Sequence, residues 1–561
     1  MERSSSVVKL AASLVCLIMV KLAPWMASAA LVQRKFTIGT QNETRLCSTQ
    51  TIVTVNGQFP GPTIEVREGD NLVVEVHNNG PYNVTIHWHG VKQLKSCWAE
   101  GPAYITQCHI TPENKFTYNF IITGQEGTLW WHAHISYLRA TVHGALVIKP
   151  RAGKTYPYPK PDAEFPIILG EWWNANVEDV IAEAIATGER PPESDADTIN
   201  SQPGDFFPCS KNDTSRISVA SGKSYLLRIV NAAMNHASFF KIAQHNMTVV
   251  AVDAVYTKPY TTDVLLIQPG NTMDVLITAD QQPGRYYIGT RVYESATVGV
   301  KFSEIPATAI LEYKGNTNAS EPLLPNFPPF NDTASAFKFS AALRSRTPCV
   351  AQTVDEEMFI TEGAGLVDCT ARSCPESGVR SVGSFNNISF VDSQISILQA
   401  YYNGTDGVFT RDFPNIPPQK FNYTGYVPHA LRYPELGTKV KVLKFNSTVQ
   451  VVFQNTNISA MINHPIHLHG HDFYLVGQGF GNYNPQTANF NLDNPQMLNT
   501  VGVPTGGWAA IRFVANNPGV WFVHCHFESH SAFGFAMAFL TENGPADSDK
   551  LPAPPSDLPK C

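Results

Sequence analysis

Beyond about residue 30, apolar and polar residues alternate in short runs broken by turn residues, as at 51–55, 71–76 and 118–122. A period of two lays the apolar side chains on one face of an extended segment, so each run predicts a half-buried β-strand. Helical spacing is scarce. Strand-rich blocks occupy roughly 31–150, 160–315 and 420–545, parted by proline-rich or polar stretches near 157–161 and 316–329. The pattern predicts an all-β chain of three β-sandwich domains, at 31–155, 156–315 and 420–561, the last with a C-terminal tail. Residues 316–419 are the least regular and predict a linker with local strands, wrapped round the outside.

The first 30 residues follow another pattern: Arg3 and Lys9, an apolar run from Leu10 to Val20, then Ala27, Ser28, Ala29 and Ala30. This order predicts a cleaved secretory signal, and Lys21 and Pro24 interrupt the run short of the ~20 apolar residues a membrane span needs. Eleven Asn-x-Ser/Thr sequons, from Asn42 to Asn457, fit a glycosylated monomer outside the cell, in the apoplast or cell wall. Eight cysteines outside the signal and outside the histidine-flanked Cys525 allow up to four disulfides in such a compartment. A net charge of -7 argues against a nucleic-acid partner.

Chemistry concentrates in the histidines. Ten of 17 fall in four groups: His87 with His89; His132 with His134; His464, His467 and His469; and His524 and His526 flanking Cys525, followed by His530. On a strand, His-x-His aims both imidazoles to one side, as two ligands of a shared metal centre require. In His524-Cys525-His526 the same alternation turns the thiol to the opposite face, so one strand can serve two metal sites. A thiolate, two imidazoles and a weak axial position form a blue-copper set, which Cys525, His530 and one distant histidine supply. The distant partner this reading favours is His464. Eight histidines remain, enough for three more copper ions with two, three and three imidazoles and room for oxygen between them. Zinc is disfavoured, because structural zinc sites close at four ligands with paired cysteines, whereas one cysteine accompanies ten histidines here.

These clusters resemble those of the multicopper oxidases. The surrounding sequence is similar to the plant laccases over essentially the whole chain after the signal, in Phe59-Pro60-Gly61-Pro62-Thr63-Ile64, Gly127-Thr128-Leu129-Trp130-Trp131-His132, Asp253-Ala254-Val255-Tyr256 and Asn499-Thr500-Val501-Gly502-Val503-Pro504. The resemblance implies three cupredoxin-like Greek-key domains and four copper ions, one type 1, one type 2 and two type 3. The type 1 ion lies in the third domain, and the other three lie between the first and third. It implies His464, Cys525 and His530 at type 1 copper and His87 and His467 at type 2. His89, His132 and His526 then bind one type 3 ion, and His134, His469 and His524 the other. The reaction implied is one-electron oxidation of diphenols, monolignols or flavonoids, coupled to reduction of dioxygen to water.

The same resemblance places Phe535 at the axial type 1 position, where it cannot ligate, which implies a comparatively high reduction potential and argues against an ascorbate oxidase. Glu100 and Glu528 stand where the family has an acid near the three-copper cluster that helps deliver protons, either able instead to act as a structural acceptor. His236 stands where laccases often place an acidic residue against the phenol hydroxyl. As a neutral imidazole it would take the phenolic proton, or else it is a loop histidine with no such task. Disulfides Cys47–Cys209 and Cys108–Cys561 are implied. Cys369 and Cys374 are close enough to pair locally, while Cys97 and Cys349 either pair with each other or stay free. A cell-wall relative without metal is disfavoured, since all eleven ligand positions are filled, and a copper store has no need of linked sites.

Overall fold

The computed structural model describes residues 29–295, 302–316, 320–369, 378–458 and 461–561. Residues 1–28 of the expected signal and Cys374 lie outside these residues. Six sheets pair into three sandwiches, with four and four strands, six and five, and eight and five in chain order. Alternation decides the layering: in Lys115–Ile121, buried Phe116, Tyr118 and Phe120 alternate with exposed or half-buried residues, and in Asn71–Asn78, Leu72, Val74 and Val76 point inward. Among the described residues no helix is long and apolar enough to cross a membrane.

The stretch 316–419 departs from expectation. Instead of wrapping the outside, it sends Glu356–Asp368, Val379–Phe385 and Ile388–Phe390 into the eight-stranded sheet of the third sandwich. Glu356–Asp368 runs parallel to Thr448–Asn455, with Ile360 opposite Phe453. Met358, Ile360 and Phe385 join the core.

Two ladders set up the histidine clusters. In the first sandwich Ile86–His89 pairs antiparallel with Gly127–Ala133, opposing His87 to His132. In the third, His464–Leu468 pairs antiparallel with Gly519–Cys525, opposing His467 to His524. The second sandwich braces both. Asp253 accepts from the backbone N–H of Thr272 (2.9 Å), Asn499 (3.1 Å) and Thr500 (3.3 Å), and buried Arg228 donates to Thr128 at 2.9 Å and Asp274 at 3.1 Å. Disulfides Cys47–Cys209 and Cys108–Cys561 tie the first domain to the second and to the chain end. Cys97 and Cys349 do not pair: both are free, one buried and one exposed.

Candidate metal centre

The two ladders meet face to face, and ten imidazoles and one thiol gather in four trios whose ligand atoms lie within 4.8 Å of one another. They are His87/His89/His467, His89/His132/His526, His134/His469/His524 and His464/Cys525/His530. Alternation along 524–526 splits them as expected. The Cys525 thiol faces Nδ1 of His464 at 3.6 Å and Nδ1 of His530 at 3.4 Å. Nε2 of His524 lies 3.1 Å from His469 Nε2, and Nε2 of His526 lies 3.2 Å from His89 Nδ1.

Backbone acceptors fix which nitrogen each ring presents. Nδ1–H of His132 donates to Ala133 O (2.8 Å), that of His467 to Asn499 O (2.8 Å) and that of His524 to Cys525 O (3.0 Å). Nε2 of His87, His132 and His467 is thereby left buried and unpartnered, an arrangement that costs free energy unless something binds there. Burial pushes the imidazoles below the ordinary range, to about 3 for His464 and His524, and well below it for His89, His132, His134, His467, His469, His526 and His530. Neutral imidazole is the metal-binding form. Neutral rings, bare inward nitrogens and a single thiol fit copper.

Glu100 is buried beside the cluster. Its Oε1 lies 2.6 Å from His469 Nδ1 and 2.9 Å from His87 Nδ1, while its backbone O lies 3.1 Å from the latter. Glu528, 17% exposed, pairs with Arg139 at 3.3 Å, and burial raises its pKa above the ordinary carboxylate range. With His134 it lines a cavity of about 400 Å³. Phe535 is buried against the rings of His464 (4.8 Å) and His530 (5.8 Å).

His236 corrects the sequence expectation of a neutral proton acceptor. Its Nδ1 donates to Asp197 at 2.8 Å and lies 3.4 Å from Glu171, and its Nε2 lies 3.4 Å from Glu193. Burial works against the charged ring, but the Glu171 and Asp197 carboxylates outweigh it and hold His236 protonated well above the imidazole range. An imidazolium has no lone pair with which to take a proton. Outside the four groups, His143 and His245 donate to the carbonyls of Arg139 and Ala243, both at 2.7 Å, and His471 lies 3.3 Å from His469 O.

Arg139 was not singled out from sequence. It is 1% exposed, donates Nη1 to His526 Nδ1 at 2.8 Å and Nη2 to the carbonyls of Met234 and His526, both at 3.1 Å. A cation in the short apolar turn Leu138–Ala140, directly after the second histidine pair, was the available signal.

Three family models described as multicopper oxidase match residues 37–153, 163–316 and 412–545. The chain is 54% identical to Laccase-12 of Arabidopsis thaliana, over 92% of this chain and 93% of that one, and 51% identical to Laccase-3 of Oryza sativa subsp. japonica, over 96% of both. The fold aligns with the laccase from Botrytis aclada at a TM-score of 0.72 and 27% identity, covering 94% of this chain and 90% of the other. A chain that carries all three domains and the imidazole and thiol clusters between them belongs to the multicopper oxidases, among the plant laccases.

Proposed function

We propose that this laccase is secreted and oxidises phenolic substrates, diphenols, monolignols or flavonoids, by one electron at a time while dioxygen is reduced to water. The ligand assignment proposed is His464, Cys525 and His530 for type 1 copper and His87 and His467 for type 2. The type 3 ions fall to His89, His132 and His526 and to His134, His469 and His524. The observation that carries this reading is the 524–526 tripeptide, whose thiol faces one pair of imidazoles while its two flanking rings face the other cluster. Copper, when bound, supplies the one-electron acceptor and the electron store for a four-electron reduction.

The residues do the rest. Half-buried His530 offers the ring edge nearest solvent among the Cys525 trio, so a phenol is oxidised from that side. Glu193 lies beside His236, with Arg190 2.8 Å away. Since His236 is already protonated, the carboxylates around it take the phenolic proton. The peptide bonds joining Cys525 to His524 and His526 give a covalent path of a few atoms between the two centres. Glu100 holds the Nδ1 protons of His87 and His469 and so fixes the nitrogens turned to the cluster. Glu528, its pKa raised by burial beside the cavity that reaches His134, hands protons inward. The domains are proposed to run 31–155, 156–315 and 420–561, the last enlarged by the strands between 356 and 390. Cleavage near residue 30 would deliver the protein to the oxidising extracellular space in which its disulfides persist; of the eleven sequon asparagines, ten lie within the described residues, and nine of those are exposed.

Copper stoichiometry, the absorption spectrum and oxygen uptake test the reading together. Four coppers, an intense thiolate band and faster turnover of a diphenol than of ascorbate are expected; bound zinc, a colourless protein or preference for ascorbate would overturn it.

A further inference from the structure

Glu362 is wholly buried, and neither carboxylate oxygen has a hydrogen-bond partner. No cation pairs with it among the described residues. A buried acid left in this way costs free energy and calls for a reason.

Its place in the fold supplies one. Glu362 lies in Glu356–Asp368, on the face that Met358 and Ile360 turn to the core by alternation. In the ladder it stands opposite Phe385 on one side and Asn455 on the other. The Phe385 ring packs on Phe535 at 5.0 Å, and Phe535 packs in turn on His464. Asn455 Nδ2 donates to Ile462 O at 2.6 Å, two residues before His464. Glu362 thus stands beside the two residues that shape the wall of the Cys525/His464/His530 trio. Its charge is felt there, since it raises the Cys525 thiol's pKa behind the larger effect of burial. Its own pKa is raised well above the ordinary value by burial alone.

We propose that Glu362 is a tuning residue of the Cys525/His464/His530 centre, a carboxyl in the apolar wall whose charge state sets that centre's reduction potential. The inference rests on the ligand assignment proposed above. Its neighbours in the same sheet, Phe385 and Asn455, carry no charge. The titratable group on which its charge acts is Cys525, on a strand of the opposite sheet, and Arg139 and Glu528 act on the same thiol. An electron arriving from the phenol lowers the charge across this wall by one, and a proton entering at the carboxyl restores it. The proton returns to solvent when the electron moves on. Deprotonation favours the oxidised centre, so the potential falls as pH rises.

The test is redox titration of the copper-loaded protein, following its blue band, from pH 4 to 8, on wild type and Glu362→Gln, with Glu362→Leu as the second variant should the amide fail to fold. In wild type a tenfold drop in proton concentration is expected to lower the potential by up to about 59 mV, the one-electron limit. In either variant that slope is expected to vanish, with a potential above wild type at pH 8. Parallel curves for wild type and variant overturn the proposal while leaving the ligand assignment intact; a wild type without a blue band overturns both. The metal-free Glu362→Leu protein is expected to melt higher than wild type, because it no longer buries an unpartnered carboxyl, and a lower melting point counts against the proposal.

Discussion

Replacing Glu100 separates two things a buried carboxylate can do beside a metal cluster. Glu100→Ala strips His469 of the acceptor at 2.6 Å that fixes its Nδ1 proton, whereas His87 keeps the Glu100 backbone carbonyl at 3.1 Å. A hydrogen bond to a charged group contributes about 1.5–3 kcal/mol. Loss of one such bond, taken as about 2 kcal/mol, corresponds to about 30-fold in copper affinity, inside the 10–100-fold usual for partners of metal-bound histidines. Glu100→Gln keeps a neutral acceptor, so about 1 kcal/mol, or roughly fivefold, is expected. Dialysis against buffered free copper, followed by spectroscopic counting of type 2 and type 3 copper, gives the affinity, and turnover per bound cluster is measured beside it. If Glu100 orients imidazoles, copper content falls and turnover per loaded cluster holds. Full copper content with turnover lost would refute this reasoning and make Glu100 a proton donor to oxygen instead.

Phe535→Met is expected to lower the type 1 potential by restoring an axial donor, and an unchanged redox titration would count against the assignment of that position. Asp253→Ala leaves the buried N–H groups of Thr272, Asn499 and Thr500 without their acceptor. A loss of about 3 kcal/mol is expected in urea unfolding, together with weaker copper retention, because Asn499 O anchors His467. His236 has a folded pKa above its unfolded value of about 6.5. Its contribution to stability is therefore fully present below about pH 6.5 and drains away as pH rises through the folded value. The melting temperature of wild type should fall over that range more steeply than that of His236→Gln, and equal slopes would show that the ring is not protonated.

The grouping of imidazoles and thiol was legible because period-two alternation needs only neighbours: Cys525 between two histidines states its geometry within three residues. The trios were legible from resemblance, while the register that opposes His87 to His132 and His467 to His524 belongs to strand pairing that no local pattern encodes. Glu356–Asp368 escaped notice for a local reason. Glu362, Gly363 and Gly365 break the apolar alternation, although Met358 and Ile360 are core residues. His236 was misjudged because the residues that charge it arrive from 171, 193 and 197, far off in sequence, and Arg139 was overlooked because its partners Met234 and His526 are equally remote.

Cys561, beyond the strand Ala536–Thr541 of the third domain, is bonded to Cys108 in the first. The disulfide therefore works as a clasp between the first domain and the segment that follows the third. Replacing Cys561 by serine would leave every histidine in place yet release the clasp. Integrity of the clasp can be read directly, as the mass of a disulfide-linked peptide pair that holds both cysteines.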